Sequence, residues 1–570
     1  MVKKVKFWCF LLLIFCCSCS ISSSVSSSSV SSSFSTASAS YERDEEGFYK
    51  LDEKDLLEEA IEDNKEITKL RISGEYEEKK YNAMRLYAGD KQIPIYNVKT
   101  NYTHQWTPDT LKRMNNAVSV IELEGKMTFR LQTNFLIHNI FTIRPLSRNV
   151  PYNIDEQKRL VTFTISEPGA YTIEFRNDKT LHLFVHPYEA YNQYKNDTNV
   201  LYFAPGIYNK DNCSIIQNDH MIHLNSNTTV YLELGAILEC GFVSNNASHI
   251  KIVGSGIVDG SSFIRNATTN ERLIPFDFNY CTDIQFLGIT TLDPAGWCYN
   301  IYFCDQVTFE NVAIISSRSN GDGISLQSSK NVVCKNAFVR SFDDSLVVKN
   351  YPRWNNMTSY GSTYNIRFKD CILWTDLAQS MEIGYETYGE QMEDIHFENI
   401  TVLHNFHKAP ISIHNANQAK MKNISFKDIT VEDASMGEGD GSNLLIDFSC
   451  AYSSTWSNGH GVTPLGSIGQ VMVQNVKVLS ENKTQKISIM GSVDTRENFK
   501  GSVHKIQNVT LQDIQIVDEK LQTGNARIMI NEYVESLKVT LTGNEITGAT
   551  YQTSVNANAY GKNYQIIEVQ

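Results

Sequence analysis

A seven-residue phrase recurs along the carboxyl-terminal two-thirds of the chain, and this repeat restricts the possible folds more than any other feature. The phrase reads polar, apolar, any, apolar, any, then Asn, Asp or Gly, then apolar. Its first apolar residue falls at Ile284, Val307, Val332, Ile366, Ile395, Ile424, Val471 and Val509. The intervals between these residues are 23, 25, 34, 29, 29, 47 and 38. A period of about 23–30 residues with insertions is typical of a β-solenoid, in which each repeat forms one coil.

The repeat predicts an all-β solenoid domain over residues 191–570. Alternate residues of each short strand point inward and stack on the next coil. The recurring Asn or Asp marks a bend after the strand, where its side chain can satisfy the turn backbone. Segments that begin at Val200, Thr229 and Ile250 read as opening coils. The alternative, a set of stacked sandwiches, would need strand pairs without a common phrase.

Short alternating segments with turn residues between them precede the solenoid. Pro168-Gly169 and Asn177-Asp178 supply such turns, and the pattern predicts a β-sandwich-like domain over residues 46–190. Two roles remain open for this module. It could bind sugar through exposed aromatic side chains, or it could pack on its neighbour.

The amino terminus has the pattern of a secretory signal. Three lysines precede an apolar run that is too short for a comfortable membrane span, and residues 1–19 are therefore predicted to be a signal peptide. Cys19, at the end of the run, is a candidate for acylation as in a bacterial lipoprotein; an ordinary cleaved signal is the alternative. Residues 20–45 are rich in Ser and predict a flexible tether. Together they predict a secreted or cell-surface lipoprotein with a lipid anchor at Cys19.

Composition rules out a chain that is disordered over its full length and argues against one class of partner. The chain has 570 residues and a formal net charge of −13, with 41% hydrophobic residues. Such a chain can bury a core, and its acidity argues against a nucleic-acid partner. Beyond the signal, eight Cys remain and none forms a CxxC pair. They are predicted to be buried small hydrophobic residues rather than zinc ligands or disulfides.

Two acidic clusters interrupt the apolar pattern and define a candidate site. One is Asn320-Gly-Asp322-Gly, and the other is Asp343-Asp344. Asp322 and Asp343 are 21 residues apart, close to one coil, so they should lie on neighbouring rungs about 4.8 Å apart. Three clustered carboxylates suit glycoside hydrolysis, because one can protonate the leaving oxygen while another activates water. Binding of a hard cation such as Ca²⁺ is the alternative.

These motifs resemble glycoside hydrolase family 28, the polygalacturonases, which carry Asn-Thr-Asp and, about one coil later, Asp-Asp. They are also similar to family 49, the dextranases and isopullulanases, in which an amino-terminal β-sandwich precedes the same solenoid. The resemblance implies a right-handed parallel β-helix and an inverting hydrolase of a polysaccharide. It implies that Asp343 is the general acid and that Asp322 and Asp344 activate water. Asn320 matches the first motif, Gly321 replaces its Thr, and no metal or cofactor is implied. A monomer is expected.

The sequence departs from family 28 after the aspartates. The His of a Gly-His-Gly motif is replaced by Gln379, and an Arg-Ile-Lys motif that grips the substrate carboxylate is replaced by Ile-Ser-Ile-His at residues 411–414. The missing cations weaken pectin as the substrate and leave neutral α-linked polysaccharides open. Further substrate-binding candidates are Lys349, Glu382, Glu386, His414, Trp297 and Trp374. Lys349 could pair with a carboxylate, and the two Trp could stack on sugar rings.

Two other functions remain open from the sequence. A polysaccharide lyase can use the same fold, although the missing cations argue against it. A non-catalytic surface protein that binds carbohydrate through the solenoid is the other. Neither the linkage cleaved nor endo or exo action follows from these residues.

Overall fold

The computed structural model describes residues 42–51, 68–102, 113–137, 140–265, 273–351, 360–434, 443–455, 463–481, 484–521, 525–541, 544–545, 550–554 and 564–568. The predicted signal, with Cys19, and nearly all of the predicted tether lie outside these residues. Arg43–Gln570 form one compact unit. Within the described residues, no helix has the length and apolar character that crossing a membrane requires.

The amino-terminal module is a β-sandwich. Its strands are β1 (Lys69–Ile72), β2 (Met84–Ala88), β3 (Lys91–Ile93), β4 (Tyr96–Asn101), β5 (Arg113–Glu124), β6 (Met127–Thr133), β7 (Phe141–Arg144), β8 (Tyr152–Asp155), β9 (Leu160–Ile165), β10 (Gly169–Phe175) and β11 (Thr180–Pro187). One sheet has the order β1-β5-β11-β10-β7 with β4 on β5, and the other has the order β3-β2-β6-β9-β8. Apolar side chains such as Phe129, Phe163 and Ile173 fill the space between the sheets.

The described residues from Val200 onward form a parallel β-helix, as predicted, with a few antiparallel pairings toward its carboxyl-terminal end. Its strands are β12 (Val200–Phe203), β13 (Gly206–Tyr208), β14 (Met221–His223), β15 (Thr228–Leu232), β16 (Ala236–Leu238), β17 (Gly241–Asn245), β18 (Ser248–Gly254), β19 (Ile257–Asp259), β20 (Phe276–Asn279), β21 (Thr282–Leu287), β22 (Thr290–Leu292), β23 (Tyr299–Tyr302), β24 (Asp305–Glu310), β25 (Ala313–Ile315), β26 (Ile324–Gln327), β27 (Lys330–Lys335), β28 (Phe338–Ser341), β29 (Leu346–Asn350), β30 (Thr363–Lys369), β31 (Ile372–Thr375), β32 (Met381–Thr387), β33 (Gln391–Asn405) and β34 (Ile411–Asn415). The later strands are β35 (Lys420–Val431), β36 (Leu444–Cys450), β37 (Ser467–Val478), β38 (Gln485–Met490), β39 (Ser492–Val493), β40 (Val503–His504), β41 (Ile506–Ile516), β42 (Glu519–Lys520), β43 (Ala526–Ile530), β44 (Val534–Leu541), β45 (Asn544–Glu545), β46 (Thr550–Ser554) and β47 (Tyr564–Glu568). Short 3-10 turns occur at Glu77–Lys79, Leu146–Arg148, Asn192–Asn196 and Glu497–Phe499.

Each coil contributes strands to three parallel ladders. The first ladder runs β12-β15-β18-β21-β24-β27-β30-β33-β35-β37-β41-β44, and the second runs β13-β16-β19-β22-β25-β28-β31-β33. From β33 onward, long strands replace the separate first and second strands. The third ladder runs β14-β17-β20-β23-β26-β29-β32-β34-β36-β38-β43. Apolar side chains from all three ladders fill the inside of the solenoid.

The repeated phrase coincides with the first ladder. Ile284 is paired with Val307, Val307 with Val332, and Val332 with Ile366. The pairing continues in the same register through the remaining phrases to Val509. All these residues are buried in the core. The phrase therefore identifies the same position in successive coils, which confirms the predicted solenoid.

The polar positions of the phrase adopt left-handed backbone conformations. The Asn or Asp before the last apolar residue has a positive φ in successive coils, for example Asn311 at 54°, Asn336 at 53° and Asn399 at 53°. The polar residue that opens the phrase does the same, as at Asn331 with φ 53°. Asn and Asp tolerate this region better than other residues with a Cβ, because their short side chains bond locally. Each coil thus bends on both sides of its first strand.

The sandwich packs against the outer face of the second ladder. Side chains of β4, β5 and β11, among them Val98, Val120 and Phe184, form one apolar cluster with Ile315 and Phe338 of the solenoid. Arg144 of the sandwich also binds Glu432 of the solenoid, with Nη1 and Oε2 2.7 Å apart. This arrangement supports the packing role for the module.

The cysteines follow the sequence prediction. Eight of them are free thiols within the described residues, and all but Cys213 are buried. Cys240, Cys298, Cys334 and Cys371 lie in the solenoid core, where they act as small apolar side chains.

Candidate active site

The three aspartates lie in turns that lead into adjacent strands of the third ladder. Asp322 precedes β26, and Asp343-Asp344 precede β29. Ile324 pairs with Leu346 across these strands, and the backbone N–H of Gly323 donates to the carbonyl of Asp344 at 2.8 Å. Asp322 therefore lies one rung from the aspartate pair, as the spacing predicts.

Buried hydroxyl groups support the turn that carries the aspartate pair. Ser341 Oγ donates to the carbonyl of Asp343 at 2.6 Å and lies 2.7 Å from Ser345 Oγ. Ser345 in turn contacts Thr375 Oγ1, which contacts Ser380 Oγ. Sequence reasoning missed this chain of hydroxyls. Its signal is a Ser or Thr just before or after the site turn in two successive coils, a pattern too short to stand out in a Ser-rich chain.

Lys349 lies at the centre of the carboxylates. Its Nζ is 3.3 Å from Asp322 Oδ2, 3.7 Å from Asp344 Oδ2 and 3.6 Å from Glu386 Oε2. The ammonium also lies 5.2 Å from the centre of the Trp297 ring, close enough for a cation–π contact. Lys349 therefore pairs with carboxylates, as the sequence predicts, and Glu386 and Trp297 lie next to it. Contact of Glu386 and Trp297 with a sugar stays a prediction.

Burial and mutual repulsion raise the pKa of all three aspartates. Burial raises the pKa of Asp322 to about 7, with Lys349 opposing the shift and Asp343 adding to it. Burial also raises the pKa of Asp343, again against the charge of Lys349. The pKa of Asp344 is raised well above its ordinary value by burial and by the two neighbouring aspartates. Such a cluster retains a proton on one carboxyl group near neutral pH while another carboxyl group is ionised. General acid–base catalysis needs both forms.

The three aspartates differ in accessibility. Asp322 is 2% exposed and Asp344 is 8% exposed, whereas Asp343 is half-buried. Asp343 accepts a hydrogen bond from the backbone N–H of Asp344 at 3.1 Å. Its side chain is therefore the one of the three with the most access to a ligand in the cleft.

Asn320 lies at the entrance to the first acidic turn and has a left-handed backbone, with φ 50°. Its Oδ1 accepts a hydrogen bond from Nη2 of Arg265, a residue that sequence reasoning missed. The following Gly321 has no room for a side chain, because a Cβ there would lie 2.0 Å from Ser316 Oγ and 2.5 Å from the carbonyl of Arg318. The Thr of the family 28 motif would therefore clash in this turn.

Gln379 continues the stack into the next coil. The backbone N–H of Ser345 donates to its carbonyl at 3.0 Å, and its own N–H donates to Asp344 Oδ1 at 3.2 Å. Gln379 thus contacts the cluster through its backbone, and this N–H helps to hold the Asp344 carboxylate in place.

Glu382 and His414 form a buried charged group on the other side of the cluster. His414 Nδ1 lies 2.8 Å from Glu382 Oε1, and Nε2 lies 3.1 Å from Asp447 Oδ2. Ser412 also donates to Glu382, and the Tyr385 ring stacks on His414 at 4.1 Å. Burial alone would lower the pKa of His414, but Glu382 and Asp447 raise it to about 10. With both ring nitrogens engaged, His414 positions its neighbours rather than offering a nitrogen to a sugar hydroxyl.

The position of Trp374 argues against its predicted role in stacking on sugar. This residue is 3% exposed and belongs to the apolar cluster between the sandwich and the second ladder. Its Nε1 donates to Asp376 Oδ1 at 2.9 Å, and the Arg340 guanidinium covers its ring at 3.9 Å. The tryptophan points away from the third ladder because the sandwich packs on that side.

Comparison with known proteins agrees with the sequence motifs. Residues 209–360 match the model of Glycosyl hydrolases family 28. This stretch contains Asp322, Asp343 and Asp344 and ends before Gln379. The family 28 match supports a glycoside hydrolase that acts on a polysaccharide. No curated protein matches the chain.

Solved structures with similar folds include enzymes of families 28 and 49. Dex49A from Penicillium minioluteum is 12% identical, covers 78% of this chain and 89% of its own, and has a TM-score of 0.48. The exopolygalacturonase from Thermotoga maritima is 15% identical, covers 65% and 87%, and has a TM-score of 0.39. Polygalacturonase from Erwinia carotovora ssp. carotovora is 14% identical, covers 58% and 87%, and has a TM-score of 0.37.

Proposed function

We propose that the protein is an inverting glycoside hydrolase with Asp343 as the general acid and with Asp322 and Asp344 as the groups that bind and deprotonate water. The observation that carries this proposal is the cluster of three aspartates around one ammonium. Its members lie on two adjacent rungs, and their pKa values are raised.

The assignment of roles follows from access and charge. A general acid must reach the glycosidic oxygen, and Asp343 is the least buried of the three aspartates. A water molecule held by two carboxylates can be deprotonated by either of them. Asp322 and Asp344 both lie within 4 Å of Lys349 and can hold such a water between them. Lys349 opposes the rise in the pKa of all three aspartates, but its ion pairs are with Asp322 and Asp344, which leaves Asp343 as the carboxyl group free to approach the leaving oxygen. Inversion follows if the water attacks from the face opposite the leaving group.

On the carboxyl-terminal side of the aspartates, the residues that face the site favour a neutral sugar. The strand β34, which takes the place of the Arg-Ile-Lys motif, presents Ser412 and His414. The charge of His414 is met by Glu382 and Asp447. Among these residues, the only cation is therefore already paired with protein carboxylates and is not available to a substrate carboxylate.

We also propose that the chain is exported and anchored by a lipid at Cys19, with residues 20–45 holding the enzyme away from the membrane. A lipid alone holds a protein weakly, so the anchor would need the full acylation of a lipoprotein amino terminus. Fractionation of cells that produce the chain or its Cys19→Ala variant checks this. The variant should leave the membrane fraction. The folded enzyme is expected to act as a monomer.

Substitution of Asp343 by Asn tests the chemistry. It should lower the rate of reducing-end release by about 10²–10⁴-fold, the usual contribution of a general acid, with an unchanged circular dichroism spectrum. Asp370→Asn is a matched control, because Asp370 has a left-handed backbone on the first ladder and Asn occupies this position in neighbouring coils. Wild-type activity in Asp343→Asn would refute the assignment.

A screen of α-glucans, pectins and host glycans provides the substrate for that test. Proton NMR of the first product should show the anomer opposite to that of the bond cleaved. A product that absorbs in the ultraviolet would indicate a lyase. Binding without release of reducing ends on any glycan would indicate a binding protein.

A further inference from the structure

A positively charged cavity lies beside the carboxylate cluster, on the side of the amino-terminal coils. Three arginines and three serines line it: Arg113, Arg265, Arg318, Ser261, Ser317 and Ser319. We call it the arginine pocket. Its volume is about 360 Å³, Phe263 and Ile264 complete its described lining, and none of the described lining residues is acidic. Arg113 comes from strand β5 of the sandwich, and the other residues come from the solenoid.

The arginine pocket is connected to the proposed catalytic residues. Arg265 donates from Nη2 to Oδ1 of Asn320, which lies two residues before Asp322. Arg265 also contributes to the field at Asp343, where its charge opposes the rise in pKa that burial causes. A sugar bound at the carboxylates would therefore have a neighbour close to this pocket.

One buried carboxylate holds two of the arginines. Asp293, whose side chain is 2% exposed, accepts from Arg113 Nη1 at 2.9 Å and from Arg318 Nη2 at 3.0 Å. Arg318 also donates to the carbonyls of Phe263 and Ser261, so each of the three nitrogens of its guanidinium makes at least one hydrogen bond within the protein. A single carboxylate between two guanidinium groups leaves the pocket with net positive charge.

Arg113 has donors to spare. Its hydrogen bonds to the described residues all use Nη1, toward Asp293 and Ser317. Its side chain is 32% exposed, and within the described part of the chain no residue accepts a hydrogen bond from Nε or Nη2. Two adjacent N–H groups of one guanidinium form the fork that binds carboxylate or sulfate oxygens in pairs.

We propose that the arginine pocket binds an anionic substituent of the glycan, a carboxylate or a sulfate ester, on a sugar next to the cleavage site. This inference rests on the proposed hydrolase function. It changes the expected substrate, because the cations missing from β34 are replaced by cations on the opposite side of the aspartates. The cleft is then cationic toward the amino-terminal coils, whereas toward the carboxyl-terminal coils Glu382 and Asp447 are buried partners of His414.

Binding to charged and uncharged forms of the same glycan tests the pocket. The full chain with Asp343→Asn is titrated calorimetrically with galacturonan oligosaccharides and their methyl esters, and with dextran and dextran sulfate of equal length. One charged member should bind about tenfold more tightly than its neutral partner, as expected for hydrogen bonds to a charged group. The pair that responds identifies carboxylate or sulfate. Equal binding within both pairs would overturn the proposal.

Substitution of Arg113 assigns the preference to the pocket. Arg113→Gln should remove it, and Arg113→Lys should retain part of it, because charge remains while the fork is lost. Arg176→Gln, at an exposed arginine of the sandwich, should leave it intact. A preference that survives in a folded Arg113→Gln protein would contradict the proposal.

A competition experiment avoids the risk that Arg113→Gln does not fold. With the pocket unaltered, inorganic sulfate should displace the charged glycan and leave binding of its neutral partner unchanged. Sulfate without effect on the charged glycan would also overturn the proposal. These readings need no turnover. If no glycan is cleaved but the charge preference holds, only the hydrolase proposal fails.

Discussion

At the scale of single residues, the site depends on a charge balance around Lys349. Burial alone would lower the pKa of this ammonium, but Glu386 and the three aspartates raise it well above its ordinary value. The lysine is therefore charged at neutral pH. It reduces the cost of ionising carboxylates that burial would otherwise protonate.

Removal of this charge should move the pH profile. In Lys349→Met, the carboxylates lose the cation that favours their ionised form, so their pKa values rise further. We expect the limb of kcat/KM that reports ionisation of the base to shift toward alkaline pH by about 1–3 units. Activity at neutral pH should fall as a result. Lys335→Met, at an exposed lysine of β27 in the same coil, is the control. An unchanged profile in a folded Lys349→Met protein would remove the lysine from the mechanism.

Residue type alone did not separate the two candidate tryptophans. Trp297 and Trp374 both precede or occupy strands near the aspartates in the sequence. Trp297 is 6% exposed and contacts the ammonium of Lys349 in the carboxylate cluster, whereas Trp374 is covered by the sandwich. The difference arises from a domain contact that no local pattern encodes. No local pattern predicts the role of Arg265 either, because its partner Asn320 lies 55 positions further along the chain.

At the scale of elements, the left-handed asparagines set the shape of each coil. Asn399 has φ 53°, and its Nδ2 donates to Asp370 Oδ1 in the preceding coil at 2.6 Å. One residue therefore supplies both the bend and a hydrogen bond between coils. Because the same position provides both contributions, Asn or Asp recurs there in successive coils and the repeat can be recognised in the sequence.

Paired substitutions at Asn399 separate these two contributions. Asn399→Ala should be less stable than Asn399→Gly by about 1–2 kcal/mol, because an alanine Cβ is strained in the left-handed region and glycine is not. Chemical unfolding by urea measures the difference. At the adjacent strand residue Glu398 the order should reverse, since Gly weakens an extended strand. Equal stability of the two Asn399 variants would contradict this reading of the phrase.

The sequence predicted the first ladder in register, and the reason is physical. Its inward residues and its bends recur at fixed offsets, so successive phrases share one register in the sequence itself. Most strands of the second and third ladders are shorter, and their residue types vary more from coil to coil, so no local pattern specifies their register. The stacking of Asp322 on Asp344 was predictable because about one coil of sequence separates the two residues. Pairing of Lys349 with the aspartates was also predictable, but its contact with Glu386 was not, because Glu386 comes from a different coil.

At the scale of the whole molecule, a buried ionic group joins the sandwich to the solenoid. His404 of β33 lies between Glu174 of the sandwich, 3.0 Å from Nε2, and Asp433, 2.9 Å from Nδ1. Arg144 bridges Glu174 and Glu432 in the same group. Burial alone would lower the pKa of His404, but Glu174 and Asp433 outweigh it and raise the pKa.

This histidine should make stability depend on pH. An unfolded His titrates near pH 6.5, and the folded pKa of His404 is higher. Its stabilising contribution is therefore complete below about pH 6.5 and is lost as the pH rises through the folded pKa. Thermal unfolding of wild type should show a lower melting temperature at alkaline pH, and His404→Gln should show a smaller decrease. His249→Gln, at an exposed histidine, should retain the wild-type dependence. Identical slopes in wild type and His404→Gln would refute this role.

The uniform register of the first ladder also bears on how such a chain can change its length. Because each coil presents the same buried and left-handed positions to its neighbours, duplication of one coil would add about 4.8 Å and leave the pairing rule intact. A duplication before Asp322 or after β34 would extend the surface under a glycan. One between Asp322 and Asp343 would separate the carboxylates. Evolution can thus adjust the length of glycan that is gripped while the chemistry stays within two coils.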